Sequence, residues 1–186
     1  MRLSGNNNDE MLICCTSKLI KEIGLTKDEL ADSVPQDSTL GEWCANLFFF
    51  QRKKCLIFTN TRTLFTFMSF GVNRARIKNL GELFCEGLGK ALLDEGFDGA
   101  LIQRLISECR DIEFGKANNK SILGVMNDHV LNTKWLVWED GGLGKCDISR
   151  LIKQHNRTPF STNKYAIPIE ELGKVLGVNI NPRADF

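Results

Sequence analysis

The chain has 186 residues, of which 42% are hydrophobic and 25% charged, and its formal net charge at pH 7 is +1. This composition is typical of one folded domain, and it excludes a disordered chain and a uniformly basic or acidic protein. Apolar runs such as residues 47–50 and 135–138 are too short for a membrane-spanning helix, which needs ~20 residues. We predict a flexible polar leader at 1–10, without a secretory signal, and a single domain at 11–186 of a cytoplasmic protein.

The first half of the chain opens with one strand and one helix and then continues in strands. The apolar MLICC (11–15) predicts a buried strand, and the following TSKLIKEI predicts a helix that Thr16 or Ser17 begins and Gly24 ends. Three later runs rich in Phe, Thr, Ile and Leu are typical of strands. Because short junctions connect them, we predict an antiparallel meander with two hairpins, formed by Trp43–Phe50, Lys54–Asn60 and Thr63–Phe70.

Helices dominate the second half. Apolar residues three and four apart predict a helix from Lys78 to about Glu95, although Gly87 and Gly89 weaken it. A short strand is expected at 111–114, and further helices at 98–109, from Asn118 or Asn119 onward, at 148–155 and at 168–176, where Pro168 suits the first turn. The elements predict a single-domain α+β fold. Its sheet would be mostly antiparallel, a three-stranded meander plus one or two short strands, packed with about five to six helices.

Charge is distributed unevenly along the sequence. No acidic residue lies between Glu42 and Glu82, while this segment contains seven cations: Arg52, Lys53, Lys54, Arg62, Arg74, Arg76 and Lys78. The segment from Glu82 to Glu113 has the opposite sign, with eight acidic residues. Three explanations stay open: two solvated surfaces, attraction of an anionic partner, or a homo-oligomer in which the acidic helices of one copy meet the basic meander of another.

The acid-free meander favours a non-enzymatic binding module as the leading hypothesis. Its partner would be nucleic acid or an acidic protein, and the candidate ligand-binding residues are Arg52, Lys53, Asn60 and Arg62. Asn60 and Arg62 belong to a polar turn, Thr59–Thr63, whose side chains could also hold an anion. Against the hypothesis stand the nearly neutral total charge and the lack of a known nucleic-acid-binding motif.

The stretch NNKSILGVMNDHV, residues 118–130, contains an Asn-Asp-His run. Because consecutive helical residues point about 100° apart, Asn127, Asp128 and His129 cannot converge on one ligand, and the run is not a catalytic triad. His129 falls in the apolar, buried sector of the helix. Asn127 falls at a semi-buried edge, where we expect structural hydrogen bonding, because buried polar groups usually serve structure.

Asp128 could pair with a basic residue of the meander, either as a fixed ion pair or as part of an acid–base site, and the second possibility supports an alternative hypothesis. A hydrolase- or nuclease-like enzyme would place a polar site around Asp128 and the turn from Asn60 to Arg62, with Asp128, Asn127 and Arg62 as the candidate catalytic residues. This hypothesis requires that these side chains line one cleft. The HNRTP stretch at 155–159 ends a helix. A cation is favourable near the last carbonyl groups of a helix, and this is a sufficient explanation for the stretch.

The seven cysteines contain no C-x-x-C pair and lie mostly in apolar segments. We therefore expect reduced cysteines in the core, with no metal site and no cofactor. Motifs for nucleotide binding, zinc proteolysis and serine hydrolysis do not occur in the sequence, so these classes of enzyme have no support.

Several stretches together resemble a known family. They are LICCTSKL, EWCANLFFFQRKKCLIFTNTRTLFTF, NLGELFCEGL, NNKSILGVMNDHV and NRTP, which extend over residues 11 to about 176. The chain resembles the bacterial family of uncharacterised domains catalogued as DUF6933. This resemblance implies a single bacterial cytoplasmic domain and implies no particular chemistry.

Overall fold

The computed structural model describes residues 11–31, 38–109 and 111–182, and the predicted leader lies outside them. Five strands form one sheet: β1 (Met11–Cys15), β2 (Trp43–Phe50), β3 (Lys53–Asn60), β4 (Thr66–Ser69) and β5 (Ile112–Lys116). The same residues contain seven α-helices: α1 (Ser17–Ile23), α2 (Arg74–Lys78), α3 (Leu80–Asp94), α4 (Gly99–Glu108), α5 (Lys120–Glu139), α6 (Ile148–His155) and α7 (Pro168–Leu176). Short 3-10 helices occur at Lys27–Glu29 and Ser161–Asn163.

The sheet is mixed, and the prediction of a mostly antiparallel sheet is wrong. Its strand order is β4-β3-β2-β1-β5, in which β2, β3 and β4 form the predicted antiparallel meander. However, β1 runs parallel to both of its neighbours, β2 and β5. All five residues of β1 are buried, as is usual for a parallel strand covered on both faces. The prediction of an α+β fold is confirmed, with seven helices rather than five to six.

Helices cover both faces of the sheet and form two hydrophobic cores. The larger core joins one face to α1, α3, α4 and α7 and includes the mutually packed rings of Trp43, Phe58, Phe67 and Phe84. The smaller core lies on the other face, where α5 covers β2 and β3. Within the described ranges, no helix combines the length and the apolar character needed to span a membrane.

The predicted helix ends agree with the local geometry. The side chain of Asn119 caps α5 by accepting hydrogen bonds from the backbone N–H groups of Ser121 and Ile122. Gly24 ends α1 in the left-handed conformation, with φ of 92°. Pro168 is the first residue of α7. Its lack of an N–H group costs no hydrogen bond there, because N–H groups in the first turn have no acceptor within the helix.

Gly87 and Gly124 both lie within helices, but we expect their substitution by alanine to have opposite effects on the free energy of unfolding. A Cβ atom at Gly87 in α3 would lie 2.7 Å from Cε2 of Phe67, within the packed core. We expect Gly87→Ala to lower the free energy of unfolding by about 1–3 kcal/mol, because overpacking outweighs the gain in helix propensity. In Gly124→Ala, nothing lies within 4 Å of the new methyl group, so we expect a gain of about 0.5–1 kcal/mol. Urea denaturation measures the stability of both variants. If both substitutions shift the denaturation midpoint in the same direction, the prediction is wrong.

Candidate functional site

Asn60 is buried and forms a structural turn. Its side-chain amide donates to the carbonyl oxygen of Leu40 at 2.6 Å, and its Oδ1 accepts from the backbone N–H groups of Arg62 and Thr63 and from the Thr63 hydroxyl. The hydrogen-bonding groups of the Asn60 side chain are therefore used within the protein. Arg62 is exposed beside this turn, at the end of β3 that lies far from Arg52 and Lys53. At ~3.3 Å per residue, the eight residues of β3 separate the two groups of cations by roughly 23 Å.

Asn60 and the Asn127–Asp128 pair, which the enzyme hypothesis gathers at one polar site, lie on different sides of the sheet. Asp128 and Asn127 are exposed on α5, on the side turned away from the sheet, so the expected semi-buried position of Asn127 is wrong. Asn60 shares the opposite face of the sheet with Leu56 and Phe58, since side chains alternate along β3. The sheet therefore separates Asn60 from α5.

The cations of the acid-free segment differ in their partners. Lys54 forms an ion pair with Glu22 of α1, and Arg76 pairs with Glu86 of α3 at 2.6 Å. Arg52 and Lys53 instead lie exposed at the tip of the β2–β3 hairpin. Residues 51 and 52 form the turn with φ values of 47° and 62°, a left-handed conformation that suits a two-residue hairpin.

The hairpin tip packs beside the C-terminal end of α5. The side-chain amide of Gln51 approaches Gly142: a Cβ atom added to Gly142 would lie 3.1 Å from Nε2 of Gln51. Burial raises the pKa of the Cys55 thiol, while backbone hydrogen bonds and the charges of Lys53 and Lys134 oppose that rise. Lys134 lies in the last two turns of α5, at the end of the helix that the hairpin tip approaches.

Exposed aromatic side chains lie on the last turns of the same helix, α5. Trp135 and Trp138 of α5 are 55% and 73% exposed, and Leu131 extends the same apolar stripe with 65% exposure. Within the described residues, no ion pair involves Arg52, Lys53, Lys134 or Lys145. We name the whole set the tip surface: Arg52, Lys53, Lys134, Trp135, Trp138 and Lys145. Glu139 and Asp140 border it at the end of α5.

A second polar region surrounds a buried ion pair that the sequence did not reveal. Nη1 of Arg157 lies 2.7 Å from Oε2 of Glu95, and their side chains are only 8% and 1% exposed. Burial raises the pKa of Glu95, although Arg157 opposes this change. The pair lies in a cavity of about 550 Å³, which Lys153, Asn179 and residues near them also line.

Asn156 connects this ion pair to the edge of the sheet. Its Oδ1 accepts from the backbone N–H of Thr66 at 2.7 Å, and its Nδ2 donates to the Thr66 carbonyl oxygen at 3.0 Å. The amide thus takes the place of a neighbouring strand along β4, while Nδ2 also approaches Glu95. The HNRTP stretch is therefore a structural junction, and its explanation as a simple helix end is insufficient.

His129 is buried, which confirms its predicted position in the core. Its ring lies 4.4 Å from the ring of His155, measured between centroids, and 4.9 Å from Phe160. Nε2 of His155 hydrogen-bonds with the Thr133 hydroxyl at 2.8 Å. Nε2 of His129 and Nδ1 of His155 are buried without a hydrogen-bond partner. Desolvation lowers the pKa of His129 to about 3, with the charge of His155 contributing, and lowers the pKa of His155 to about 4.

Over the described residues, no group of three or more His, Cys, Asp or Glu side chains is arranged to hold a metal ion. Five of the cysteines are buried, but Cys85 and Cys146 are partly exposed, so the prediction of core positions fails for these two.

Fold and sites together define an α+β protein with a mixed sheet, a cationic hairpin tip and a buried polar junction at the β4 edge of the sheet. The chain belongs to the family described as Domain of unknown function (DUF6933), whose model matches residues 12–171. No curated protein and no solved structure matches the chain. The matched range contains every residue of the tip surface and of the ion pair.

Proposed function

We propose that the protein is a binding module for an anionic partner, and that this partner is single-stranded nucleic acid held at the tip surface. One observation carries the proposal: where the hairpin tip meets the C-terminal end of α5, both elements present cations that form no ion pair among the described residues, and the helix also presents two exposed tryptophans. Cations attract the phosphate backbone, and flat aromatic rings stack on unpaired bases. This refines the hypothesis of a basic meander, because Lys54 and Arg76 already have acidic partners and Arg62 lies at the far end of β3.

The proposal predicts strong salt dependence. If the four cations of the tip surface each neutralise one phosphate of a single strand, the slope of log K against log[salt] is about −3. Affinity for a fluorescently labelled single-stranded oligonucleotide should then fall ~50-fold between 50 and 200 mM salt. Fluorescence anisotropy measures this change, and tryptophan quenching reports whether bases contact the rings.

Matched variants test the location of the site. Arg52→Ala with Lys53→Ala should weaken binding roughly ten- to fiftyfold at low salt and halve the slope. Trp138→Ala should cost about 1–3 kcal/mol of binding free energy through lost stacking. Arg62→Ala is the control, because it removes an exposed cation of the same meander at the other end of β3.

Three results would contradict the proposal: no binding at low salt, a flat salt response, or equal losses in Arg62→Ala and in the hairpin variant. A poly-glutamate peptide that binds as tightly as the oligonucleotide, with no effect of Trp138→Ala, would identify an acidic protein as the partner class and overturn the assignment to nucleic acid.

A further inference from the structure

Two cysteines from neighbouring helices come into contact at the surface. Cys85 lies in α3, and Cys109 directly follows α4. The Cys85 thiol donates to the carbonyl oxygen of Cys109, with Sγ 3.5 Å from that oxygen. The Cys109 thiol also donates to the carbonyl oxygen of Leu105 at 3.4 Å. The Cys85 sulfur therefore contacts the backbone of Cys109, although 24 positions separate the residues in sequence.

A solvent-open cavity gives access to this pair. Its volume is about 390 Å³, and both cysteines line it together with Lys78, Gly81, Glu82 and Ile112. Cys85 is partly exposed, while Cys109 is only 5% exposed. A small reagent that enters the cavity thus reaches Cys85 first.

Another close pair of cysteines lacks this access. Cys14 of β1 and Cys44 of β2 are register partners in the sheet, but they are 7% and 0% exposed, and burial raises the pKa of each thiol. Cys146 is partly exposed but hydrogen-bonds with Asp140 rather than with a thiol. Among the described cysteines, contact and access coincide at Cys85 and Cys109.

The electrostatic environment distinguishes the two thiols. The neighbouring Cys109 lowers the pKa of Cys85, although burial and the charges of Glu82 and Glu86 oppose this change. The pKa of Cys109 is raised by the neighbouring Cys85, by burial and by the charge of Glu108. Because the thiolate is the nucleophile and Cys85 is the more exposed of the two cysteines, Cys85 is placed to attack and Cys109 to react afterwards.

We propose that Cys85 and Cys109 form a redox-active pair that a hydroperoxide converts into a disulfide. The Cys85 thiolate attacks the terminal oxygen of hydrogen peroxide, the O–O bond breaks, and hydroxide leaves as Cys85 becomes a sulfenic acid. The Cys109 sulfur then attacks the Cys85 sulfur, its proton passes to the departing oxygen, and water leaves. Two thiols are oxidised to one disulfide, while one peroxide molecule is reduced to water and hydroxide.

Peptide mapping of the whole chain tests the pair directly. The reduced protein is treated with a small excess of hydrogen peroxide, blocked with iodoacetamide and digested with trypsin without reduction. Cleavage after Lys78, Lys90, Arg104 and Arg110 places each cysteine in its own peptide, 79–90 and 105–110. We expect these two peptides to be joined, and the titratable thiols to fall by two from seven. Oxidation that joins other cysteines first, or leaves 79–90 and 105–110 separate while the peroxide is consumed, would overturn the proposal.

Variants assign the order of the two steps. Cys109→Ser should leave a sulfenic acid at Cys85 that dimedone labels, whereas Cys85→Ser should prevent labelling at Cys109. Cys146→Ser removes the other partly exposed cysteine and should leave the crosslink unchanged. Dimedone labelling of Cys109 in Cys85→Ser as fast as that of Cys85 in Cys109→Ser would contradict the assigned order. The crosslink in the unmodified chain remains decisive if a variant fails to fold.

Discussion

Arg157→Met should lower the free energy of unfolding by about 3–5 kcal/mol at pH 8, measured by urea denaturation. The variant removes the cation that faces Glu95 and leaves a carboxylate with 1% side-chain exposure. It also removes the hydrogen bonds that Arg157 donates to the carbonyl oxygens of Lys153 and Pro182. A buried charge without its counter-charge is among the most destabilising features that a single substitution creates.

The pH dependence of this loss identifies its cause. Burial already raises the pKa of Glu95, and removing Arg157 should raise it further, so the folded variant takes up a proton more readily than the unfolded chain. Such a group stabilises the fold below its unfolded pKa, and this contribution disappears as the pH rises through the folded value. The difference between variant and wild type should therefore be smaller at pH 5 than at pH 8.

Two further variants serve as controls. Arg76→Met breaks the ion pair with Glu86, whose side chains are about half exposed, and should cost no more than about 1 kcal/mol. Glu95→Leu combined with Arg157→Met removes both charges and should recover much of the loss. If the double variant is as unstable as Arg157→Met alone, the lost packing and hydrogen bonds of Arg157 explain the effect and the uncompensated charge does not.

Local sequence patterns predicted the individual elements well because each pattern depends on neighbouring residues. The strand Trp43–Phe50, the cap at Asn119 and the place of Pro168 in the first turn of α7 follow from apolar runs and from the unpaired backbone groups at helix ends. Strand pairing is different. The stretch MLICC gives the same apolar pattern whether its neighbours run parallel or antiparallel, so the position of β1 between β2 and β5 depends on long-range packing.

The candidate sites were harder to predict for the same reason. Charge counting found Arg52 and Lys53, but it could not separate them from Arg62, because the distance between them depends on the length and direction of β3. Lys134 and the two tryptophans of the tip surface belong to a helix about 80 residues further along the chain. Only the packing of α5 against the hairpin brings them together with Arg52.

The polar junction around Asn156 and Arg157 was harder still to recognise in the sequence. Asn156 and Arg157 are ordinary residues for a helix end, and their partners Thr66 and Glu95 lie at least 60 residues away in sequence. For the Asn-Asp-His run, helical geometry correctly separated buried His129 from its neighbours. It placed Asn127 wrongly at a semi-buried edge, since which sector a sheet covers depends on how far the neighbouring elements extend around the helix.

His129 and His155 should make the fold sensitive to mild acid. Burial holds the pKa of His129 near 3 and that of His155 near 4, below the ordinary value of 6.5. Between pH 6.5 and about 4, the unfolded chain therefore binds protons that the folded chain does not, so stability falls as the pH falls. Each ring contributes about 1.4 kcal/mol per pH unit in this range, or about 2 kcal/mol at pH 5.

Urea denaturation of the wild type and of His129→Leu at pH 7 and pH 5 tests this expectation. These are the only two histidines in the chain, and the carboxylates whose pKa is lowered titrate below this window. Glu95 works in the opposite direction, because its raised pKa favours the folded state in acid, so the comparison between the two proteins is decisive. His129→Leu should lose about 2 kcal/mol less than the wild type between pH 7 and pH 5. Equal losses in both proteins would mean that the His129 ring takes up its proton without cost in the folded state, against its burial beside His155 and Phe160.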